Sequence, residues 1–133
     1  MNGVFKKDLY RYYGSDGETL AKRLVRPPEL KYLALFREAQ SCTFAPLKLF
    51  LTFRLKRMSA KTHIQIPVRT RIGEGFYIGH SGRVVINPEA VIGRNVNVAA
   101  GAVIGAENRG KRKGAPTVSD CCWIGSNAVV VGK

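Results

Sequence analysis

The sequence predicts an α+β protein, in which a helical N-terminal region (residues 1–61) precedes a parallel β-helix (residues 62–133). Three observations support this fold class. Apolar residues before position 60 recur with the three-to-four spacing of amphipathic helices. After residue 64 that spacing is lost, and aliphatic residues recur every six positions. Glycine directly follows several of these aliphatic residues, where the chain of a short coil has to turn sharply.

The six-residue repeat extends through most of the second half. Neither a strand, with its period of two, nor a helix, with its period of 3.6, predicts a period of six. A solenoid does, because each hexad forms one short strand and one turn and directs one side chain inward. At three hexads per coil, the repeat predicts about three coils. Three series of aliphatic residues have members six positions apart: Ile66, Ile72, Ile78 and Val84; Ile86, Ile92, Val98 and Ile104; Val118, Ile124 and Val130.

Two short helices are predicted at the start of the chain. Asp8 is a candidate N-cap for the first helix, which the glycine-containing run at 14–17 ends. A second helix starts near Thr19 and stops before the prolines at 27 and 28.

The third and fourth helices carry most of the apolar residues of the N-terminal region. The third is predicted from Glu29 to about Gln40. The fourth begins after Pro46 and ends in the cations at 54–57, which suit a helix C-terminus. Four residues of the third helix are expected to face inward: Leu30, Leu33, Leu35 and Phe36.

Residues 42–57 mix large apolar side chains with lysine and arginine. Two interpretations fit this segment. It is either a helix that packs on the β-helix with its cations extended into water, or a helix that lies on an anionic membrane surface. Peripheral membrane contact is therefore a candidate interaction.

Length and charge exclude several classes of protein. A chain of 133 residues allows one domain, and no apolar run is long enough to span a membrane. The start of the chain lacks the apolar core of a secretory signal, and three cysteines without C-x-x-C spacing favour a reducing cytoplasm over a disulfide or zinc protein. The net charge of +13 favours polyanionic partners. No nucleic-acid-binding motif accompanies it, so nucleic acid is not expected as a partner.

The repeat resembles a known family. The stretches 72–82 and 86–93 are similar to the hexapeptide-repeat acyltransferases, and most similar to serine O-acetyltransferases and the related O-acetyltransferases of surface-polysaccharide pathways. The resemblance covers residues 63–133. It implies a left-handed β-helix, a homotrimer, an acetyl-CoA site between adjacent subunits and no metal. The expected activity is transfer of the acetyl group of acetyl-CoA to a hydroxyl of serine or of a sugar.

His80 is the candidate catalytic residue. It lies where the six-residue register slips by two positions, and such a bulge re-aims side chains. The resemblance aligns His80 with the family's general base, and an imidazole has a pKa suited to accept a hydroxyl proton. It also places Gln65 where the family has the aspartate that orients this histidine. An amide oxygen can accept from the imidazole N–H but stabilises imidazolium less than a carboxylate does.

Two further positions depart from the serine acetyltransferase pattern. Gly79 replaces an aspartate directly before the base, and Ala115 replaces a second histidine before a proline. Together with Gln65, these departures remove groups associated with the amino-acid acceptor, which favours a sugar hydroxyl or reduced activity on serine.

Acetyl-CoA is expected to contact two regions. The resemblance places Gly105, Ala106 and Ser126 along the pantetheine channel. The loop at 107–115 interrupts the repeat with four cations in five positions, and Arg112 or Lys113 is a candidate ligand for phosphate groups. A solvated loop without a binding role is the alternative interpretation.

The repeat ends partway through a hexad at 130–133. We therefore expect a β-helix truncated at its C-terminus, whose last coil a partner or a further segment would have to cover. On this expectation the alternative to an active enzyme is a catalytically weak scaffold or membrane-surface protein.

Overall fold

A computed structural model describes residues 3–15 and 17–133. Four helices come first and ten short strands follow. The helices are α1 (Gly3–Tyr13), α2 (Leu20–Leu24), α3 (Pro28–Ser41) and α4 (Ala45–Thr62). The strands are β1 (Ile64–Gln65), β2 (Arg71–Ile72), β3 (Tyr77–Ile78), β4 (Val84–Ile86), β5 (Val91–Ile92), β6 (Asn97–Val98), β7 (Val103–Gly105), β8 (Thr117–Val118), β9 (Trp123–Ile124) and β10 (Val129–Val131).

The strands wind into three parallel sheets that form the faces of a prism. The first face is β1-β4-β7-β10, the second β2-β5-β8 and the third β3-β6-β9. Consecutive strands belong to different faces, so the chain visits all three faces in each coil. The coil is left-handed. The predicted α+β fold with a parallel β-helix is confirmed.

Register differences between the coils locate two insertions. Val85 pairs with Val103, a spacing of 18 residues or three hexads. Ile78 instead pairs with Val98, so two extra residues lie in the turn between β3 and β4. Ile92 pairs with Val118, so eight extra residues lie between β7 and β8. These insertions form the turn that carries His80 and the basic loop at 107–115.

The period of six is explained by the interior of the prism. Eight residues of the first two series are at most 9% exposed, and Val118 is 8% exposed. Ile124 and Val130 are half-buried. One branched side chain from each hexad therefore enters a continuous apolar core, as the pattern predicts.

The helices agree with the predicted elements except at Asp8. Thr19 caps α2 through its side chain, and α3 buries all four residues expected to face inward. Helix α1, however, begins at Gly3, so Asp8 is not an N-cap. It is fully buried in the middle of the helix. Helix α4 also extends to Thr62, past the predicted end near residue 57.

Polar side chains of α3 satisfy the exposed backbone edge of the first coil. Strands β1, β2 and β3 each pair with a strand on one side only. On the other side, the Tyr32 hydroxyl accepts from the Ile66 N–H at 3.0 Å and donates to the Ile66 carbonyl at 3.2 Å. Gln40 Nε2 donates to the carbonyls of Val68 and Thr70 at 3.1 and 2.8 Å. These bonds replace those that a preceding coil would supply.

The ion pair of Arg37 and Asp8 completes the capping of the first coil. Arg37 donates to Asp8 at 2.8 Å and to the carbonyls of Ile72 and Gly73 at 2.8 and 2.6 Å. Oδ1 of Asp8 accepts from the Phe76 N–H at 2.8 Å and from Arg37 at 3.3 Å. The helical region therefore caps the β-helix with hydrogen bonds as well as with apolar contacts.

Candidate active site

The turn between β3 and β4 carries His80. This turn contains the two extra residues, and His80 and Ser81 are both exposed on it. Ser81 Oγ donates a 2.7 Å hydrogen bond to Glu29, which is 8% exposed at the start of α3. The His80 side chain has no hydrogen-bond partner among the described residues. The turn is therefore fixed to the helices beside His80 while the imidazole faces outward.

The strand before this turn is fixed by Tyr12 of α1. The Tyr12 hydroxyl donates to the Ile78 carbonyl at 2.8 Å and accepts from the Ile78 N–H at 3.0 Å. Its ring lies 4.5 Å, between centroids, from that of Tyr77. Burial raises the pKa of Tyr12 far above its ordinary value, and the nearby Glu29 carboxylate adds to the shift. Tyr12 therefore stays protonated and keeps both hydrogen bonds.

Gln65 lies on the outer face of the first sheet, in β1. It is exposed and pairs in register with Val85 of the next coil. It lines a cavity of about 740 Å³ between α4 and this sheet, together with His63, Asn87 and Gly105. His80 does not line this cavity. In the part of the chain that the structure describes, no hydrogen bond joins Gln65 to His80.

Gly105 and Ala106 lie at the end of β7 in the same sheet, where the basic loop begins. His80 lies at the other end of these strands, before β4 begins. Both are half-buried. Two backbone hydrogen bonds of 2.9 Å between Glu107 and Gly114 close the loop into a hairpin. Its four cations are exposed: Arg109, Lys111, Arg112 and Lys113. The hairpin therefore presents a compact positive charge next to Gly105 and Ala106.

Ser126 lies at the same edge of the prism as His80, in the turn between β9 and β10. The Asn127 N–H donates to the carbonyl of Ala100 at 3.0 Å, which places Ser126 over the equivalent turn of the middle coil. The turn of His80 is one coil further along the axis. Since adjacent coils are spaced as neighbouring strands, His80 and Ser126 are about 10 Å apart along the axis.

The predicted site residues fall into two groups. His80 and Ser126 lie at the edge where the third sheet turns into the first, with Gln65 on the adjoining face. Gly105, Ala106 and the loop cations lie at the other edge of the first sheet. The sequence analysis missed Glu29 and Tyr12, because their contacts with residues 78–81 depend on how the helices dock. Within the described ranges, no three His, Cys, Asp or Glu side chains cluster as metal ligands would.

Comparisons with known proteins identify the kind of protein that has this architecture. No protein-family model matches the chain. A serine acetyltransferase of Bacillus licheniformis is 38% identical over 71 residues, which cover 53% of this chain and 33% of that protein. Serine acetyltransferase isoform 3 of Entamoeba histolytica, solved with cysteine, superposes over 98% of this chain and 47% of its own, with 27% identity and a TM-score of 0.73. The chain is similar to serine acetyltransferases in sequence and in fold.

A further structure agrees in fold. The serine acetyltransferase of Brucella abortus, solved with coenzyme A, matches 98% of this chain with a TM-score of 0.76 and 21% identity. The chain spans about a third of the length of the curated relatives that it matches first, and about half of these structures. The likeness includes the helices, because the superposition covers nearly the whole chain.

Proposed function

We propose that the protein is an acetyl-CoA-dependent O-acetyltransferase that acts on a hydroxyl of serine or of a sugar. The observation that carries the proposal is the exposed His80 on a turn held to α3, in a fold shared with serine acetyltransferases. An imidazole that is fixed at its backbone and open to solvent can meet a hydroxyl substrate.

In the proposed reaction His80 is the general base. One ring nitrogen accepts the hydroxyl proton while the hydroxyl oxygen attacks the thioester carbonyl carbon. The carbon–sulfur bond then breaks, and the imidazolium returns its proton to the departing thiolate, which leaves as coenzyme A. Gln65 is proposed as the acceptor that orients the second ring nitrogen. This role requires the amide to turn toward His80 when the substrates bind.

The basic hairpin suits the phosphates of acetyl-CoA. Its exposed cations stand beside Gly105 and Ala106, whose small size lets an extended thioester arm approach the backbone. We propose that Arg112 and Lys113 bind phosphate groups, and that Ser126 contacts the cofactor from the opposite edge of the sheet. The Brucella abortus structure with coenzyme A supports a site of this kind.

We also propose that the active protein is a homotrimer. In a single chain, His80 lies where the strands of the first sheet begin, and Gly105 and the basic hairpin lie where they end. Neither end of the strands therefore has both the candidate base and the candidate acetyl-CoA contacts. Two neighbouring subunits could bring opposite edges together in one cleft. Cyclic homo-oligomers are formed by such contacts between different surfaces of identical subunits.

Two observations bear on whether the acetyl acceptor is serine or a sugar. Gly79 and Ala115 stand where serine acetyltransferases have charged or titratable residues, which favours a sugar hydroxyl, as in polysaccharide biosynthesis. The sequence relatives favour serine. A direct comparison of serine with sugar acceptors decides between them.

The test measures thiol release from acetyl-CoA with each acceptor. His80→Asn should lower turnover by about 100-fold or more, the usual range for loss of a general base. The same substitution at His63, the other histidine of the chain, should have a far smaller effect. Equal turnover in the wild type and His80→Asn would refute the assignment of His80. Absence of thiol release with every acceptor would favour the weak scaffold instead.

A further inference from the structure

The first half of α4 projects from the body of the protein. Residues 43–50 are all exposed, whereas the helix is buried through Leu51 and Leu55 further along. The large apolar side chains on this exposed part have no place in the core described above. They are 46–74% exposed: Phe44, Leu47, Leu49, Phe50 and Phe53. We call these five residues the α4 patch.

The helix that carries the α4 patch is basic and contains no acidic residue. The helix carries five positive charges: Lys48, Arg54, Lys56, Arg57 and Lys61. Arg54 lies over the Phe50 ring at 5.8 Å, so cation and aromatic ring share one surface. A surface that combines exposed aromatic residues with uncompensated positive charge is complementary to a layer that is both apolar and anionic.

We propose that the α4 patch binds the surface of an anionic lipid membrane. Its apolar side chains would enter the boundary between headgroups and acyl chains, and its cations would contact lipid phosphates. No helix in residues 3–15 or 17–133 is long and apolar enough to cross a bilayer. This inference is independent of acetyl transfer.

Charge favours lipid over a second copy of the chain. A second copy that met this surface with its own α4 would bring five further cations and no acidic residue. Its α4 surface would repel an identical α4 surface. Anionic headgroups supply the opposite charge, and each Lys or Arg near such a surface strengthens binding about fivefold.

The experiment is co-sedimentation of the purified full chain with vesicles, without acetyl-CoA. One set of vesicles contains phosphatidylcholine alone, and the other contains phosphatidylcholine and phosphatidylglycerol. We expect binding to the anionic vesicles that weakens as salt is added. Phe50→Ser/Phe53→Ser should weaken it about tenfold or more, and Arg54→Gln/Arg57→Gln about 25-fold.

Matched controls change similar residues elsewhere on the surface. Leu20→Ser/Leu24→Ser removes two leucines of α2 that are more than 70% exposed. Lys6→Gln/Lys7→Gln removes two exposed charges of α1. Both controls should bind anionic vesicles like the wild type. Because all of these positions are exposed, circular dichroism should show the same fold in every variant.

Three results would overturn the inference. The first is no binding to phosphatidylglycerol vesicles, and the second is equal weakening by the α2 and α1 controls. The third is that Phe50→Ser/Phe53→Ser leaves vesicle binding intact but lowers the oligomeric state in light scattering, which would make the α4 patch a subunit interface. Thiol release with a soluble acceptor, measured on the same variants, separates this inference from the proposed function.

Discussion

The buried pair of Asp8 and Arg37 gives the sharpest test of how the helices hold the first coil. The exposure of the two side chains is 0% and 2%. Asp8→Asn keeps the shape of the side chain but removes its charge. The Arg37 guanidinium then stays buried beside a neutral amide, and it still donates to the carbonyls of Ile72 and Gly73.

Loss of one partner of a buried pair costs about 3–5 kcal/mol, because the remaining charge is uncompensated. We expect the lower end, about 3 kcal/mol, since two carbonyls continue to accept from Arg37 and the asparagine oxygen can still accept from the Phe76 N–H. That loss is a large fraction of the ~5–15 kcal/mol that stabilises a domain of this kind.

Urea unfolding followed by far-ultraviolet circular dichroism measures this change in the free energy of unfolding. The matched control is Asp120→Asn, which removes the partner of Arg94 from an ion pair whose side chains are 65% and 47% exposed. Solvent screens that pair, so its loss should be barely measurable. Equal effects of the two substitutions would show that the Asp8 pair does not hold the helices on the β-helix.

Two further predictions concern other contacts between the helices and the first coil. Tyr12→Phe should lower the free energy of unfolding by about 2 kcal/mol in urea titrations, because a buried N–H and C=O of the first coil lose their partner. Ser81→Ala and Glu29→Gln should each lower kcat about tenfold with little change in the KM for acetyl-CoA, since they loosen the turn of His80; equal loss in KM would indicate a binding defect instead.

The β-helix was predictable because its pattern is local. One branched side chain in each hexad enters the core, so the aliphatic residues had to recur every six positions, whatever the rest of the chain does. The slip at His80 and the insertion at 107–115 were visible as breaks in that period. Both are insertions in the register of the coils.

The contacts of the helices were not predictable in the same way. Asp8 fits the pattern of an N-cap, but its partners Arg37 and Phe76 are 29 and 68 positions away. Tyr32 and Gln40 look like ordinary helical residues until β1 and β2 are placed beneath them. These contacts depend on how the helices dock on the β-helix. The spacing of residues along the sequence carries no information about that docking.

The same limit applies to the candidate site. The sequence could select His80, because it lies in a break of the repeat. It could not place His80 relative to Gln65, since the two-residue insertion decides how far the turn extends from the first sheet. The sequence also could not show that Gly105 and His80 lie a sheet's width apart. This distance depends on which face of the prism each strand occupies.

The capping of the first coil connects the helical region to the proposed chemistry. A parallel coil at the end of a solenoid exposes backbone donors and acceptors, and here Tyr12, Tyr32 and Arg37 satisfy them. The same helices hold the turn of His80 through Glu29. The edge that must be capped for stability is therefore also the edge from which the imidazole projects. Changes in the first 40 residues should consequently lower the turnover that depends on His80 without altering the repeat, and the kcat of the Glu29→Gln variant measures this effect.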